Sequence, residues 1–268
     1  MRSNIVIVLC GNNGLKWENM KVSVITVVYN NIETISDAID SVLQQEYDNI
    51  EYIIIDGKSN DGTVEIISRY GDKIDIFISE KDDGIYDAIN KGIRLANGDI
   101  IGLLHSDDIF TDENVISRVV EPFFDLGIDS IYSDLVYVDK HDQNKIIRKW
   151  ISGNYNRNKF IYGWMPPHPT FFVKRILFER YGYYDTSFGS AADYELILRF
   201  MYKYGITTYY IPKILVKMRI GGKSNSNFKN RLIANGQDYR AWQKNDLNPR
   251  FYTRYLKPLQ KISQYIGN

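Results

Sequence analysis

The sequence predicts an α/β fold with a mainly parallel central sheet flanked by helices. Apolar runs rich in β-branched residues alternate with amphipathic helical segments, the pattern of right-handed β-α-β units. The first strands are apolar on both faces, as buried parallel strands are. The chain has 268 residues, of which 44% are hydrophobic, so it can bury a core without disulfide bonds.

The first part of the chain contains four predicted strands separated by three helices. The strands are Lys21–Val28, Glu51–Ile55, Ile74–Ser79 and Asp99–Leu104, and the helices are Ile32–Gln45, Thr63–Arg69 and Ile85–Ala96. Ile35, Ala38, Ile39 and Val42 recur at the spacing of one buried helix face. Asp61 is placed to cap the second helix, and Asn97-Gly98 ends the third.

The alternation is less regular after residue 110. Helices are predicted at Glu113–Phe124 and Ala191–Tyr204, and strands at Ser130–Val138, Lys145–Trp150 and Thr170–Val173, with a long loop over Ser152–Pro169. The segment Gly221–Asn227 is predicted to be flexible, followed by helices Phe228–Lys244 and Pro249–Ile266. We expect one domain over 21–220, with halves 21–110 and 111–220, and a basic tail over 221–268. Residues 1–20 are interpreted as an extension, either disordered or an extra edge strand.

Composition excludes several classes of protein. Lys plus Arg equals Asp plus Glu, 33 of each, which argues against a nucleic-acid-binding protein. The single cysteine, Cys10, excludes an internal disulfide framework and a cysteine zinc site, and favours a reducing cytoplasm. The apolar run Ile5–Cys10 is too short to span a bilayer, and no longer one follows.

Polar side chains follow each of the first four predicted strands: Tyr29-Asn30, Asp56, Glu80 with Asp82-Asp83, and Asp107-Asp108. Carboxyl ends of parallel strands meet at one edge, where α/β proteins bind ligands. Neither a GxGxxG turn nor a Walker loop is present. The pattern therefore predicts a nucleotide held by carboxylates and a metal ion rather than by backbone amides.

Four ordered blocks then carry a resemblance to a known family. VSVITVVYNN, IIIDGKSNDGT, EKDDGIYDAINKGIRLANGDI and IGLLHSDD together resemble glycosyltransferase family 2, whose members have the GT-A fold. The resemblance covers about residues 21–220 and is strongest to bacterial transferases of O-antigen and surface-polysaccharide assembly. It implies a nucleoside-diphosphate sugar donor, often UDP-linked, a divalent cation (Mn²⁺ or Mg²⁺) and inversion at the anomeric carbon. It also implies a glycan acceptor, such as one carried on a polyprenyl diphosphate.

The resemblance assigns roles to the block Ser106-Asp107-Asp108. This block occupies the place of the family's DxD motif, with serine at the first carboxylate position. By resemblance, Asp108 ligates the cation that stabilises the departing diphosphate, and Asp107 binds the ribose hydroxyls. The alternative is that the two aspartates cap a helix.

Four further residues are predicted to contact the donor. Asp56 is expected to accept the N3–H of a uracil ring, unless it is only a turn residue before Gly57. Tyr29 is expected to stack on or flank the base, or else to trim the core. Asp83 and Asn90 lie in the block that resembles the family's donor-contacting segment, and Asn90 could equally face solvent.

The acceptor side requires a base, because an inverting displacement removes a proton from the incoming hydroxyl. Ala191-Ala192-Asp193-Tyr194-Glu195 resembles the family's acidic block, which assigns Asp193 as that base. Glu195 is the rival, but its spacing to Arg199 suits an ion pair on the helix surface.

Weaker expectations concern the acceptor and the diphosphate. His168, held between prolines, and Trp164 resemble an acceptor-lining pattern, although a lone histidine is usually structural. Relatives can have a late histidine where this chain reads MRIGGKSNS. Either Lys223 or Ser224 contacts the diphosphate from a mobile loop, or the cation keeps more water.

Basic residues dominate the C-terminal tail, with Tyr, Leu and Ile between them. Such a helix can lie on the anionic inner face of a membrane, or it can pack on the domain with its charges in water. A cytoplasmic glycosyltransferase is thus the preferred interpretation. A sugar-nucleotide pyrophosphorylase and a non-catalytic nucleotide-sugar or carbohydrate-binding module are the alternatives.

Overall fold

The first half of the domain follows the predicted strand and helix order. The computed structural model describes residues 20–221 and 228–249, with side chains omitted for 228–235. Strands β1 to β4 are Val22–Val28, Ile50–Asp56, Ile76–Ser79 and Ile100–Leu103, and helices α1 to α3 are Ile35–Leu43, Thr63–Ser68 and Ile85–Leu95. The strands are parallel in the order β3-β2-β1-β4.

The second half contains the remaining elements. They are β5 (Asp108–Phe110), α4 (Val115–Leu126), β6 (Ser130–Val138), β7 (Ile146–Trp150), β8 (Phe172–Lys174), α5 (Ile176–Tyr181), α6 (Ala192–Ile197), β9 (Thr208–Arg219) and α7 (Phe228–Lys244). Helix α6 continues as a π-helical turn over Leu198–Lys203. The predicted extension before residue 20 and the helix expected after residue 249 lie outside the described residues.

Strand β9 was not predicted, and its sequence explains why. Pro212 and Lys213 interrupt the apolar pattern, and the register with β6 shifts there, from Ser133 opposite Ile211 to Asp134 opposite Ile214. A proline lacks the N–H that a regular ladder needs, so strands accept it at such irregularities. Strand β9 therefore pairs with β6 on both sides of this irregularity, although its local sequence predicts an interruption.

Within the described chain, the strands form a single sheet with the order β3-β2-β1-β4-β8-β6-β9-β5, and β7 pairs with β6. Beyond β4 the sheet is mixed, because β8 is antiparallel to β4 and to β6, whereas β9 is parallel to β6. The two predicted halves thus share one sheet.

The sheet must curl to bring β4 and β5 together. Four strand spacings separate them in the sheet order, about 19 Å if the sheet were flat. The connection from Leu103 to Asp108 has five residue steps, at most about 18 Å when fully extended. It is not extended, since the Asp108 N–H bonds back to the His105 carbonyl at 3.0 Å. Because the sheet curls, the short His105–Asp108 turn can join β4 to β5.

Alternate residues of the strands pack on opposite faces of the sheet. Ile25 and Ile53 contribute to the core beneath α3, whereas Val24 and Ile54 contribute to the core beneath α1. No helix in the described ranges is long and apolar enough to cross a bilayer.

Candidate active site

The loops that follow β1 and β2 are joined by side-chain hydrogen bonds. The Asn30 N–H donates to Ser59 Oγ at 2.8 Å, and the Asn60 N–H donates to Asn30 Oδ1 at 2.9 Å. The Asn31 N–H donates to Thr63 Oγ1 at 3.0 Å. These bonds fix the two loops relative to each other at the carboxyl edge of the sheet.

Asp56 lies at this edge and is 0% exposed. Its Oδ2 accepts the Ser59 N–H at 2.9 Å and the Ser79 hydroxyl at 2.6 Å, and its Oδ1 accepts the Ser59 hydroxyl. A carboxylate offers about four lone-pair positions, so these donors use three of them. The serines hold the carboxylate in one orientation and leave capacity for about one further donor.

Tyr29 and Asp82 flank the backbone of Gly57. A methyl group added at Gly57 would lie 2.6 Å from Asp82 Oδ2 and 3.3 Å from a Tyr29 ring carbon. Tyr29 itself is 52% exposed. The predicted Asp83 is exposed, and its N–H donates to Asp87 Oδ2 at 3.1 Å. Sequence reasoning named both Asp82 and Asp83 at this strand end but assigned only Asp83 to the donor, whereas Asp82 is the one that lies with Tyr29 beside Gly57.

Asn90 is buried and bonds to a backbone segment far away in the chain. Its Nδ2 donates to the Tyr184 carbonyl at 2.9 Å, and its Oδ1 accepts the Tyr184 N–H at 3.0 Å. The solvent-facing alternative is therefore wrong. This pair of bonds favours a structural role, in which α3 fixes Tyr184, over a donor contact.

The turn over His105–Asp108 is fastened to the start of α1. Ser106 Oγ accepts a bond from Asn31 Nδ2 at 2.9 Å, and the Ser106 carbonyl accepts one from Thr34 Oγ1 at 2.9 Å. Ser106 is buried, so both of its oxygens serve to hold the turn. Asp107 is partly exposed beside it.

Asp108 is fully buried, and no side-chain donor bonds either carboxylate oxygen, although the Arg219 backbone N–H lies close enough to lower the pKa of this carboxyl. Burial, together with the neighbouring Asp107, raises the pKa of Asp108 well above its ordinary value, and Arg219 opposes this shift. The helix-cap alternative is wrong, because Asp108 begins a strand and α4 starts at Val115. A buried carboxylate with so few donors around it suits a cation.

Within residues 20–221 and 228–249, no group of three or more His, Cys, Asp or Glu side chains could hold a metal ion. A cation held by Asp108 would complete its shell from phosphate oxygens and water, as Mg²⁺ commonly does.

Asp193 begins α6 and is partly exposed, whereas the residues on either side of it are buried. Its charge reaches three aromatic side chains. Burial is the main cause of the raised pKa values of Tyr86 and Tyr184, and Asp193 adds to both. Burial lowers the pKa of His105, while Asp107 and Asp193 oppose that shift. Asp193 thus lies close to both the Asp107 turn and helix α3.

His168 belongs to the same aromatic cluster. Its Nε2 is 2.8 Å from the Tyr184 hydroxyl, and its ring centroid is 5.9 Å from that of His105. Tyr184 in turn stacks on Tyr86 at 5.5 Å. Burial and the nearby His105 lower the pKa of His168 to about 3, so its imidazole is neutral at physiological pH. Sequence analysis gave no role to His105, Tyr86 or Tyr184, although His105 directly precedes the aspartate block.

Trp164 packs inside an aromatic cluster. Its ring meets Tyr132 and Phe160 edge-on, and its Nε1 donates to the Ser152 carbonyl at 3.0 Å. These contacts are structural, and the acceptor contact stays a prediction. Lys223 and Ser224 lie outside the described residues.

The predicted ion pair between Glu195 and Arg199 is present at 2.9 Å. Its expected surface location is wrong, since the two side chains are only 2% and 11% exposed. Arg199 also donates to the carbonyls of Gly182 and Tyr183 at 2.8 and 2.7 Å. The pair therefore locks α6 to the segment that carries Tyr184, which leaves Asp193 as the accessible carboxylate of the block.

The described part of the tail packs on α6. Trp242 is buried and its Nε1 donates to the Tyr194 hydroxyl at 2.8 Å, while Asn245 Nδ2 donates to Glu195 Oε1 at 2.9 Å. Lys244 pairs with Asp185. These contacts agree with the packing alternative for residues up to 249, and a membrane contact of the remainder stays a prediction.

Comparison with known proteins agrees with this geometry. A family model described as "Glycosyl transferase family 2" matches residues 23–185, more than half of the chain. The chain belongs to this family. The match contains all the strand-end residues described above and ends before Asp193.

Named relatives are also glycosyltransferases. "Uncharacterized glycosyltransferase Rv1514c" of Mycobacterium tuberculosis is 36% identical over 185 residues, covering 66% of this chain and 68% of the relative. "PGL/p-HBAD biosynthesis glycosyltransferase" of Mycobacterium bovis is 26% identical over 215 residues, covering 76% of this chain and 79% of the relative.

Solved structures confirm the GT-A fold. Staphylococcus aureus TarS residues 1–349 in complex with UDP-GlcNAc give a TM-score of 0.65 at 16% identity, covering 92% of this chain and 72% of theirs. The alignment covers only 43% of the longer TarS chain. The mannosyltransferase PcManGT of Pyrobaculum calidifontis, in complex with GDP-Man and Mn²⁺, gives 0.61 at 17% identity, covering 92% and 70%.

Proposed function

We propose that this glycosyltransferase is an inverting enzyme that uses a nucleoside-diphosphate sugar, specifically a UDP-sugar. It transfers the sugar to a hydroxyl of a glycan or lipid-linked saccharide in the cytoplasm, for a bacterial surface polysaccharide. The proposal rests mainly on one observation: at the turn after β4, Asp108 is a fully buried carboxylate that no side-chain donor bonds. Asp193 of the second half is partly exposed, and its backbone bonds Tyr86 of α3 in the first half.

Donor binding is assigned to the edge formed by β1 and β2. Asp56 has capacity for one further donor, which matches the single N3–H of uracil. Tyr29 offers a half-exposed ring to the base, with Asp82 on the other side of Gly57. In support, a structural neighbour binds UDP-GlcNAc, although another binds GDP-Man.

Asp108 and Asp107 are assigned to the cation and to the donor beside it. The Asp108 carboxylate, which no side-chain donor bonds, is the ligand, and the partly exposed Asp107 is available to the ribose hydroxyls. When bound, a divalent cation neutralises charge on the departing diphosphate. The turn that carries both aspartates is held by Asn31 and Thr34, so the two carboxylates stay in place without rearranging.

Asp193 is assigned as the general base. It would accept the proton of the acceptor hydroxyl as that oxygen attacks the anomeric carbon from the face opposite the diphosphate. An aspartate has an ordinary pKa of about 3.9, so position contributes more to this step than basicity. The buried Glu195–Arg199 pair and the Trp242–Tyr194 bond fix the helix start, which supplies that position.

The decisive experiment measures turnover of a panel of UDP- and GDP-sugars with and without MnCl₂. We expect the wild type to release UDP in a Mn²⁺-dependent reaction. Asp193→Asn should lose this reaction but still bind UDP. Asp108→Ala should lose both the reaction and the Mn²⁺-dependent binding of UDP. The exposed Asp72→Asn, which precedes β3 at the opposite edge of the sheet, is the matched control and should behave as the wild type. Nucleotide binding without turnover would instead indicate a non-catalytic binding module.

A further inference from the structure

Arg219 is a buried cation at the end of β9, and its side chain is 6% exposed. It donates from Nη1 to the Asp107 carbonyl at 3.1 Å, and from Nη2 to the carboxylate of Asp37 on α1. One planar guanidinium therefore bridges the turn that carries Asp107 and helix α1, which carries Asp37. Arginine suits this role because its donors point in fixed directions.

The backbone of Arg219 is itself anchored. It pairs with Val138 of β6, and the next residue, Ile220, donates its N–H to the Val138 carbonyl at 3.0 Å. Met218 pairs with Asp108 across the β5–β9 ladder. The guanidinium thus extends from a strand that is bonded on both sides to the carbonyl of Asp107.

The contacts of the turn divide between two sources. Asn31 and Thr34 hold Ser106 through neutral hydrogen bonds, whereas Arg219 holds the carbonyl of Asp107, the first of the two assigned carboxylate residues. The Asp107 carbonyl belongs to the peptide that joins Asp107 to Asp108. Fixing this peptide fixes the direction in which both side chains leave the backbone.

We propose that Arg219 and Asp37 form a positioning pair that orients the Asp107–Asp108 peptide for the cation and the diphosphate. The inference rests on the proposed function and adds residues to its site. Asp37 fixes the orientation of the Arg219 guanidinium, and the guanidinium fixes the orientation of the Asp107–Asp108 peptide. In this role neither residue contacts substrate. Removing either member should loosen the turn while leaving Asp108 and Asp193 present.

Three single variants test the pair. Asp37→Asn removes one charge at a side chain that is 46% exposed, so the fold should be retained. Arg219→Lys keeps the charge but loses the planar pair of donors, and Arg219→Gln loses both. Partners of metal ligands typically contribute 10–100-fold to affinity. We therefore expect two constants to rise about tenfold in Asp37→Asn and Arg219→Lys: the Mn²⁺ concentration that gives half-maximal activity, and the KM for the donor. Both should rise further in Arg219→Gln. The acceptor KM should not change.

The matched control is Glu33→Gln, which breaks the exposed Glu33–Lys140 pair just before α1 and should leave these constants unchanged. If the two residues act as one unit, the double variant Asp37→Asn/Arg219→Lys should be no worse than the poorer single variant. Wild-type constants in Asp37→Asn and both Arg219 variants would overturn the inference.

Amide hydrogen exchange supplies a readout that needs no turnover. Peptides covering residues 104–109 should exchange faster in Asp37→Asn than in wild type, with melting temperature nearly constant. Unchanged exchange there would contradict the positioning role even if the wild type turned over no sugar nucleotide. Absence of wild-type turnover with faster exchange would contradict the proposed function alone.

Discussion

The two hydrogen bonds between Asn90 and the Tyr184 backbone allow a direct test of whether Asn90 stabilises the fold or contacts the nucleotide-sugar donor. Both bonds are buried and join α3 to a segment 94 residues away. Asn90→Ala leaves the Tyr184 N–H and carbonyl without these partners. Each unsatisfied buried group costs about 1–3 kcal/mol, so we expect the free energy of unfolding to fall by about 2–5 kcal/mol.

Thermal and urea unfolding measure this loss directly. For a domain of this size, 1 kcal/mol corresponds to roughly 2–4 °C in melting temperature, so the variant should melt about 5–15 °C below wild type. Tyr184 also bonds His168, so kcat should fall in addition, while the KM for the nucleotide sugar should change little. The exposed Asn144→Ala, in the β6–β7 turn, is the control and should unfold as wild type does.

The refuting result is equally clear. An Asn90→Ala variant that keeps the wild-type melting temperature but has a donor KM raised tenfold or more would show that the amide serves the donor. The isosteric Asn90→Asp refines the test, because it keeps an acceptor for the Tyr184 N–H but places a carboxylate oxygen against the Tyr184 carbonyl.

Two further predictions concern buried titratable side chains. The native imidazole of His168, with its pKa near 3, does not take up the proton that the unfolded chain binds near pH 6.5. Stability should therefore fall as the pH is lowered, by about 2 kcal/mol from this group between pH 6.5 and pH 5, and urea unfolding of His168→Gln should lack that contribution. An equal pH dependence in wild type and variant would contradict a neutral His168. Glu195→Gln should destabilise the protein by about 3–5 kcal/mol, because it leaves the buried Arg199 charge unpaired. The exposed Arg175–Glu179 pair has the same spacing, and Glu179→Gln should cost no more than about 1 kcal/mol. Similar losses of unfolding free energy in the two variants would show that burial of the Glu195–Arg199 pair does not increase its contribution to stability.

The sequence predicted most of the first half because its signals are local. Strands β1, β2 and β4 are continuous apolar runs, and α1 and α3 have a clear helical spacing, so the order of elements follows without tertiary information. The strand-end residues share one edge because parallel strands have equivalent ends. The family resemblance rested on these same blocks, and the match over 23–185 confirms it.

Other features were missed because no local pattern carries them. Strand β9 is interrupted by Pro212 in sequence yet continuous in the sheet, since β6 supplies the pairing on one side and β5 on the other. The i,i+4 spacing predicted the Glu195–Arg199 pair but not its burial. Burial depends on α7 and the Tyr181–Tyr183 carbonyls, which lie elsewhere in the chain.

By itself, the sequence determined the α/β order, the acidic edge of the sheet and the family, because each is written in neighbouring residues. Only the tertiary structure decided how those residues are held: Asn90 by a segment 94 positions away, and Asp107 by an arginine 112 positions away. The physical reason is that a hydrogen-bond partner is selected by proximity after the sheet has curled. Side chains such as Asp82 and Asp83 look alike in sequence and differ only in which one lies beside Tyr29.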